Sequence, residues 1–180
     1  MSNRSYVKVT SSEPDFVYKL VFLGDSGVGK TSLVQRYVYD SLAPDIGRTI
    51  GAMLHVKSVD FEGAKHKLVV WDLGGQVAFA ALREQYCSHA SGAFFVFDRT
   101  RLETLGHIDD WLNSLYSAAG EIPVVVVENK IDLESAISEE QINGIIETRD
   151  LKWIRTSALE NQNVNTAFEE LVKMIRSSKE

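Results

Sequence analysis

An apolar run from Phe16 to Leu23 stops at the octapeptide Gly24-Asp25-Ser26-Gly27-Val28-Gly29-Lys30-Thr31, and a helical pattern follows from Lys30 to about Tyr39. That succession constrains the chain more than any other feature. Buried strand, glycine-rich loop and helix together match the phosphate-binding loop pattern in full and in its required context. The glycines let the backbone wrap closely, so that its N–H groups point toward phosphate oxygens. The following helix adds the positive end of its dipole. Lys30 can reach the outer phosphates, and Thr31 can offer its hydroxyl to Mg²⁺. Asp25, Ser26, Gly27, Val28, Gly29 and Ser32 complete the candidate cradle.

Strands and helices alternate along the rest of the chain. His55 to Phe61 and Lys65 to Asp72 read as two strands joined by a Glu62-Gly63 hairpin turn. Phe79 to Ser88 reads as a helix and Ala93 to Asp98 as a strand. Leu105, Ile108, Leu112 and Leu115 recur at helical spacing. Pro123 to Val127 is nearly all valine, as in a parallel strand buried on both faces. Ser138 with Gln141 three residues on reads as a capping box. Lys152 to Arg155 is a short strand, and Val164, Phe168, Leu171 and Ile175 form the apolar stripe of a last helix. The pattern predicts the α/β P-loop NTPase fold: a mostly parallel six-stranded sheet with helices on both faces. The expected division is a polar arm over 1–15, one domain over 16–177 and a short tail over 178–180. Ligands of such sheets bind at the carboxyl ends of the strands, so the chemistry belongs in strand-to-helix loops.

Three further loops carry such residues. The strand Leu68-Val69-Val70-Trp71-Asp72 ends in a carboxylate placed to hold Mg²⁺ through its water shell, since that ion keeps several waters and takes few protein ligands. In the following Leu73-Gly74-Gly75-Gln76, the Gly75 N–H can turn onto a γ-phosphate and Gln76 can orient an attacking water. Lys30 and Gln76 are therefore the candidate catalytic residues for phosphoryl transfer to water. Asn129-Lys130-Ile131-Asp132 follows the valine strand. The Asp132 carboxylate can accept two hydrogen bonds from guanine N1–H and its exocyclic amine, a pair adenine does not offer, and matched buried polar groups reject the wrong base strongly. After the last strand, a backbone N–H of Ser157-Ala158-Leu159 can meet the guanine carbonyl oxygen. The ligands so implied are GTP or GDP with Mg²⁺.

Composition sets outer limits. With 180 residues the chain makes one ordinary domain. Its net charge of -6, with no basic stripe, argues against a nucleic-acid binder. A single cysteine, Cys87, rules out a disulfide within the chain, predicts a small buried thiol and points to a reducing, cytoplasmic compartment. The four histidines have no ligand spacing and read as ordinary surface or core residues. No apolar run is long enough for a membrane span, and neither a myristoylation pattern nor a prenylation cysteine is present. Peripheral membrane attachment is thus left to a longer native chain or to partners, and a monomer is expected.

Taken in order, these motifs resemble those of the Ras superfamily of small GTPases, closest to the Rab family, over roughly residues 16–176. Thr49-Ile50-Gly51 resembles the family's first switch, which implies that Thr49 closes on Mg²⁺ and the γ-phosphate. Trp71 to Gln76 resembles the second. The resemblance implies a molecular switch that binds GTP or GDP, hydrolyses GTP slowly and regulates membrane traffic. Ras- or Arf-like signalling or polarity control is the rival output. A P-loop kinase or ATPase is opposed by Asn129–Asp132 and Thr49–Gly51. Effectors, an exchange factor and a GTPase-activating protein would read residues 44–54 and 74–86, including Trp71. Several positions depart from the family pattern. Leu73-Gly74 stands for Thr-Ala, Leu42 for a base-stacking aromatic, Leu159 for a lysine, Glu128 for a frequent glycine and Leu54 for a surface phenylalanine. The position three before Thr49 is Ile46, not arginine, so an activating arginine is expected from a partner. Arg48 itself reads as a solvated loop residue.

Overall fold

The computed structural model describes residues 13–43, 47–74 and 80–179. Its strands are β1 (Phe16–Leu23), β2 (Ala52–Phe61), β3 (Ala64–Leu73), β4 (Gly92–Asp98), β5 (Val124–Asn129) and β6 (Lys152–Arg155). Its helices are α1 (Lys30–Tyr39), α2 (Ala80–Cys87), α3 (Leu102–Gly106), α4 (Ile108–Ala119), α5 (Glu139–Ile146) and α6 (Val164–Ser177). The strands form one sheet in the order β2-β3-β1-β4-β5-β6. Only β2 runs antiparallel to its neighbour.

Side-chain alternation along the parallel strands builds two cores. On β5, Val125 and Val127 enter one core, and Val124 and Val126 enter the other. The first core is closed by α1 and α6 through residues such as Leu33, Tyr37, Phe168 and Leu171. Tyr37 lies flat on Phe168, with ring centroids 3.5 Å apart. Burial there pushes the Tyr37 phenol up to about 12. The second core is closed by α2, α4 and α5, with Cys87, Trp111, Leu115 and Ile142 inside. Cys87 is buried and in no disulfide, as its type suggests.

The chain crosses from β1 through α1 and the hairpin to β3 on one side, and then to β4 on the other. The helices after β1 and β3 therefore cover opposite faces, and a crevice opens at the carboxyl ends of β1 and its neighbours. Two sequence expectations are corrected. The helical stripe from Leu105 to Leu115 is two helices, because His107 leaves helical geometry (φ −83°, ψ 8°) between α3 and α4. The hairpin strands are longer than the expected 55–61 and 65–72, pairing from Ala52↔Leu73 to Phe61↔Ala64. The hairpin turn and the capping box of α5 are present as read.

Candidate functional site

Between β1 and α1 the backbone reverses through three positive-φ glycines: Gly24 (φ 128°), Gly27 (φ 77°) and Gly29 (φ 100°). A Cβ at Gly24 would overlap the Val96 carbonyl of the neighbouring strand, and one at Gly29 would overlap the Asn129 amide. Close approach as well as backbone geometry thus demands glycine at both. No described side chain caps the first turn of α1, and that turn carries no acidic residue, so its N–H groups face the crevice. Lys30 is buried, and its Nζ donates to the carbonyls of Gly24 (2.7 Å) and Asp25 (2.8 Å). A cavity of about 290 Å³ lies in front of it, lined by loop and helix residues including Ser26, Gly27, Thr31 and Ser32, with Gly47, Arg48 and Thr49 as the far wall.

Beside that cavity the Thr31 hydroxyl donates to Asp72 Oδ2 at 2.5 Å, and Thr49 Oγ1 lies 2.7 Å from Thr31 Oγ1. Two hydroxyls and one carboxylate so converge from α1, the 47–50 segment and the end of β3. Asp72 is fully buried, and its Oδ1 has no hydrogen-bond partner. Burial raises the Asp72 carboxyl above its ordinary value, against the pull of the Thr31 hydrogen bond and the Lys30 charge. An orphaned buried carboxylate oxygen beside two hydroxyls is a donor set that suits a hard, hydrated cation such as Mg²⁺. The expected pair Gly75 and Gln76 lies outside the described residues.

A second cavity, of about 540 Å³, adjoins the first and shares Gly29, Ser32 and Lys130 with it. Leu42, Asp132, Leu133, Ala158 and Leu159 line its remainder, so Leu42 and Leu159 give it apolar walls. Asn129 is buried between the loops. Its Nδ2 donates to the Val28 carbonyl at 2.9 Å, and its Oδ1 accepts from the Thr156 hydroxyl (3.1 Å) and the Ala158 N–H (3.3 Å). Asp132 Oδ1 accepts from the Ser157 hydroxyl at 2.5 Å. Of the Ser157-Ala158-Leu159 N–H groups, one of which is expected to meet a base, that of Ala158 is engaged with Asn129. The four loops singled out in the sequence surround one continuous crevice.

Other residues hold these loops and were not legible beforehand. Arg36 of α1 donates to the carbonyls of Ala158 (3.0 Å) and Leu159 (3.1 Å). Asp98, at the end of β4, takes Lys130 Nζ at 2.6 Å and Arg101 Nε at 3.2 Å, while Arg101 Nη2 donates to the Ser26 carbonyl at 3.1 Å. Burial would raise the Asp98 carboxyl, but the hydrogen bonds from Lys130 and Thr100 outweigh it and hold it below its usual value. His107 Nδ1 lies 2.7 Å from Asp25 Oδ2, and Trp111 Nε1 donates to Asp25 Oδ1 at 3.1 Å, so the histidine read as ordinary touches the phosphate loop. Arg48 is exposed, with no ion pair or hydrogen bond to the described residues, in keeping with its reading as a solvated loop residue, and it also lines the cavity. On the outer face of the sheet, Leu54 pairs with Trp71, whose ring centroid lies 5.6 Å from that of Tyr86.

Comparison with known proteins gives a concordant result. The model of the Ras family matches residues 19–177. The Arabidopsis thaliana "Ras-related protein RABA5c" is 35% identical over 167 residues, covering 91% of this chain and 78% of the relative. The human "Ras-related protein Rab-25" is 36% identical over 169 residues (92% and 79%), and the human "Ras-related protein Rab-30" is 34% identical over 160 residues (87% and 79%).

Proposed function

The chain belongs to the Ras family, as a Rab-like small GTPase switch that binds GTP or GDP with Mg²⁺ and hydrolyses GTP; from that premise we propose how its residues divide the work. Lys30 and the N–H groups of residues 25–32 hold the phosphates. Thr31, Thr49 and Asp72 would hold Mg²⁺, which would supply positive charge against the developing negative charge of the phosphates. Asp132 accepts from the guanine edge, and Ser157, Ala158 and Leu159 close the other side of the base with Asn129 and Lys130 as the frame. Gln76 orients the attacking water, and the Gly75 N–H meets the γ-phosphate; both assignments rest on sequence alone. Isolated turnover is slow, and a GTPase-activating partner supplies an arginine in trans.

One observation carries the guanine assignment: the Asn129 amide donates to the Val28 carbonyl inside the phosphate loop. That bond makes the base-reading loop and the phosphate-binding loop two walls of one site. Denaturing the purified protein and separating what it releases tests the assignment. Released GDP or GTP is expected. Released adenine nucleotide would overturn the role given to Asp132.

The switch acts through segments that can grip or release the γ-phosphate. Effectors and an exchange factor read residues 44–54 and 74–86 together with the Leu54–Trp71–Tyr86 patch. That patch is partly exposed, with Lys19 Nζ 4.9 Å from the Trp71 ring centroid. Regulation of membrane traffic is the output in keeping with the Rab relatives. No helix among the described residues is long and apolar enough to cross a membrane. A cytoplasmic monomer attached peripherally to membranes is the arrangement we favour.

A further inference from the structure

Glu128 is the last residue before Asn129, and its side chain is fully buried on the sheet face opposite to that amide. A buried carboxylate at the end of a central strand demands compensation. Two arginines provide it from the flanking strands. Arg99, just past β4, brings Nε to 3.1 Å from Oε1, an ion pair without the alignment of a hydrogen bond. Arg155, at the end of β6, donates from Nε to Oε2 at 3.2 Å. The two pairs are similar in length but differ in what the arginine does next.

Arg155 turns away from the nucleotide crevice. It pairs with Glu139 in the first turn of α5 and lies 4.7 Å from the Trp153 ring centroid. Arg99 turns into the base-reading loop. Its Nη1 donates to the Ile131 carbonyl at 3.0 Å, its backbone N–H donates to the Asn129 carbonyl at 3.2 Å, and its own carbonyl accepts from the Ala136 N–H at 3.0 Å. Arg99 therefore grips the loop on both sides of Lys130, which has positive φ (69°) and cannot hold that shape by preference. Ile131 is the neighbour of Asp132, whose carboxylate meets the base. Among the described residues the cavity around the base has apolar walls, with Leu42 and Leu159, and no aromatic platform. The position of Asp132 is correspondingly decisive.

We infer that Glu128 and Arg99 form a positioning pair for guanine recognition: the carboxylate orients the guanidinium, and the guanidinium fixes the Ile131 carbonyl and with it the carboxylate of Asp132. The inference rests on the guanine site described above and adds to it a control point on the opposite face of the sheet. Neither residue lines the two cavities of the crevice. A planar fork can serve a carboxylate and a carbonyl at once, which a lysine ammonium at the same place cannot do with the same geometry.

The sharing of one carboxylate by two arginines gives the test. Arg99→Ala and Arg155→Ala each leave Glu128 with one partner, so a purely structural role predicts similar losses of melting temperature and similar GDP release. Positioning predicts a split. GDP release from Arg99→Ala is expected to quicken on the order of tenfold, the size of one hydrogen bond from a charged group, while Arg155→Ala stays within about twofold of the unmodified protein. Arg99→Ala is also expected to discriminate less between GDP and inosine diphosphate, which lacks the exocyclic amine. If Arg99→Ala does not fold, Arg99→Lys serves, with faster release expected. Equal release from the Arg99 and Arg155 variants, or full discrimination kept by the Arg99 variant, overturns the inference alone. An unmodified protein that binds no guanine nucleotide overturns the guanine assignment and this inference with it.

Discussion

Gly29 shows how much a single hydrogen atom in place of a methyl can decide. Its φ of 100° and its contact with the Asn129 amide leave no room for a side chain. Gly29→Ala is expected to force Asn129 off the Val28 carbonyl and weaken GDP binding roughly tenfold, the size of one buried hydrogen bond with some strain added. Equilibrium titration checks it, and unchanged affinity would mean that the two loops can separate without cost. Such positions were legible in the sequence because the phosphate loop is a contiguous pattern whose spacing reflects its own geometry. Arg36, Arg101 and His107 were not legible. Their partners Ala158, Ser26 and Asp25 are far away in the chain, and no local signal marks an arginine that will hold a distant carbonyl. Glu128 stood out as unusual, but its role depended on which strands would flank it.

At the scale of elements, periodicity identified strands and helices well and their limits less well. The stripe from Leu105 to Leu115 keeps helical spacing across His107, because a one-residue break between helices that continue in nearly the same phase leaves the spacing intact. The added ends, Ala52 to Leu54 of β2 and Ala64 and Leu73 of β3, are apolar, but Met53 and Leu54 stand in solvent, so burial does not mark them as strand. What keeps them in strand form is ladder pairing, which apolar patterning does not report. The start of α5 was readable, because a capping box is a local device. Ser138 Oγ accepts from the Gln141 N–H at 3.2 Å, and Gln141 Oε1 accepts from the Ser138 N–H at 2.9 Å. Ser138→Ala is expected to lower stability by about 1 kcal/mol while GDP affinity stays unchanged, as measured by denaturant melts alongside titration. A loss of affinity would mean that α5 and the base-reading loop move together.

For the molecule as a whole, the six-stranded sheet and two-sided burial followed from alternating elements and from the valine run, which only a central strand can accommodate. Strand order itself is a matter of tertiary packing, and the sequence did not state it. The crevice joins several segments through charge, and Asp98 is its hub. Its carboxyl is held below the ordinary value, so its contribution to stability is present above the usual carboxylate pKa of about 4 and is lost as pH falls through the lower folded value. Melting temperature is accordingly expected to drop in acid below about pH 4. In Asp98→Asn the part of that drop due to this group should vanish, at the cost of lower stability near neutrality. An unchanged acid slope in the variant would assign the drop to other carboxylates.

β2 ends the sheet, and three of its large apolar residues, Met53, Leu54 and Val56, stand in solvent. An outermost strand carries a row of amide and carbonyl groups that can template another strand, and exposed aliphatic residues make such pairing adhesive. Lys57 and Asp60 interrupt the row with opposite charges, in the manner of gatekeepers against aggregation. The margin is narrow, because the surface suited to a partner is also where crowded copies would first adhere. In concentrated samples Val56→Lys is expected to lower light scattering and leave GDP affinity unchanged. Scattering that persists in the variant would place the sticky surface elsewhere.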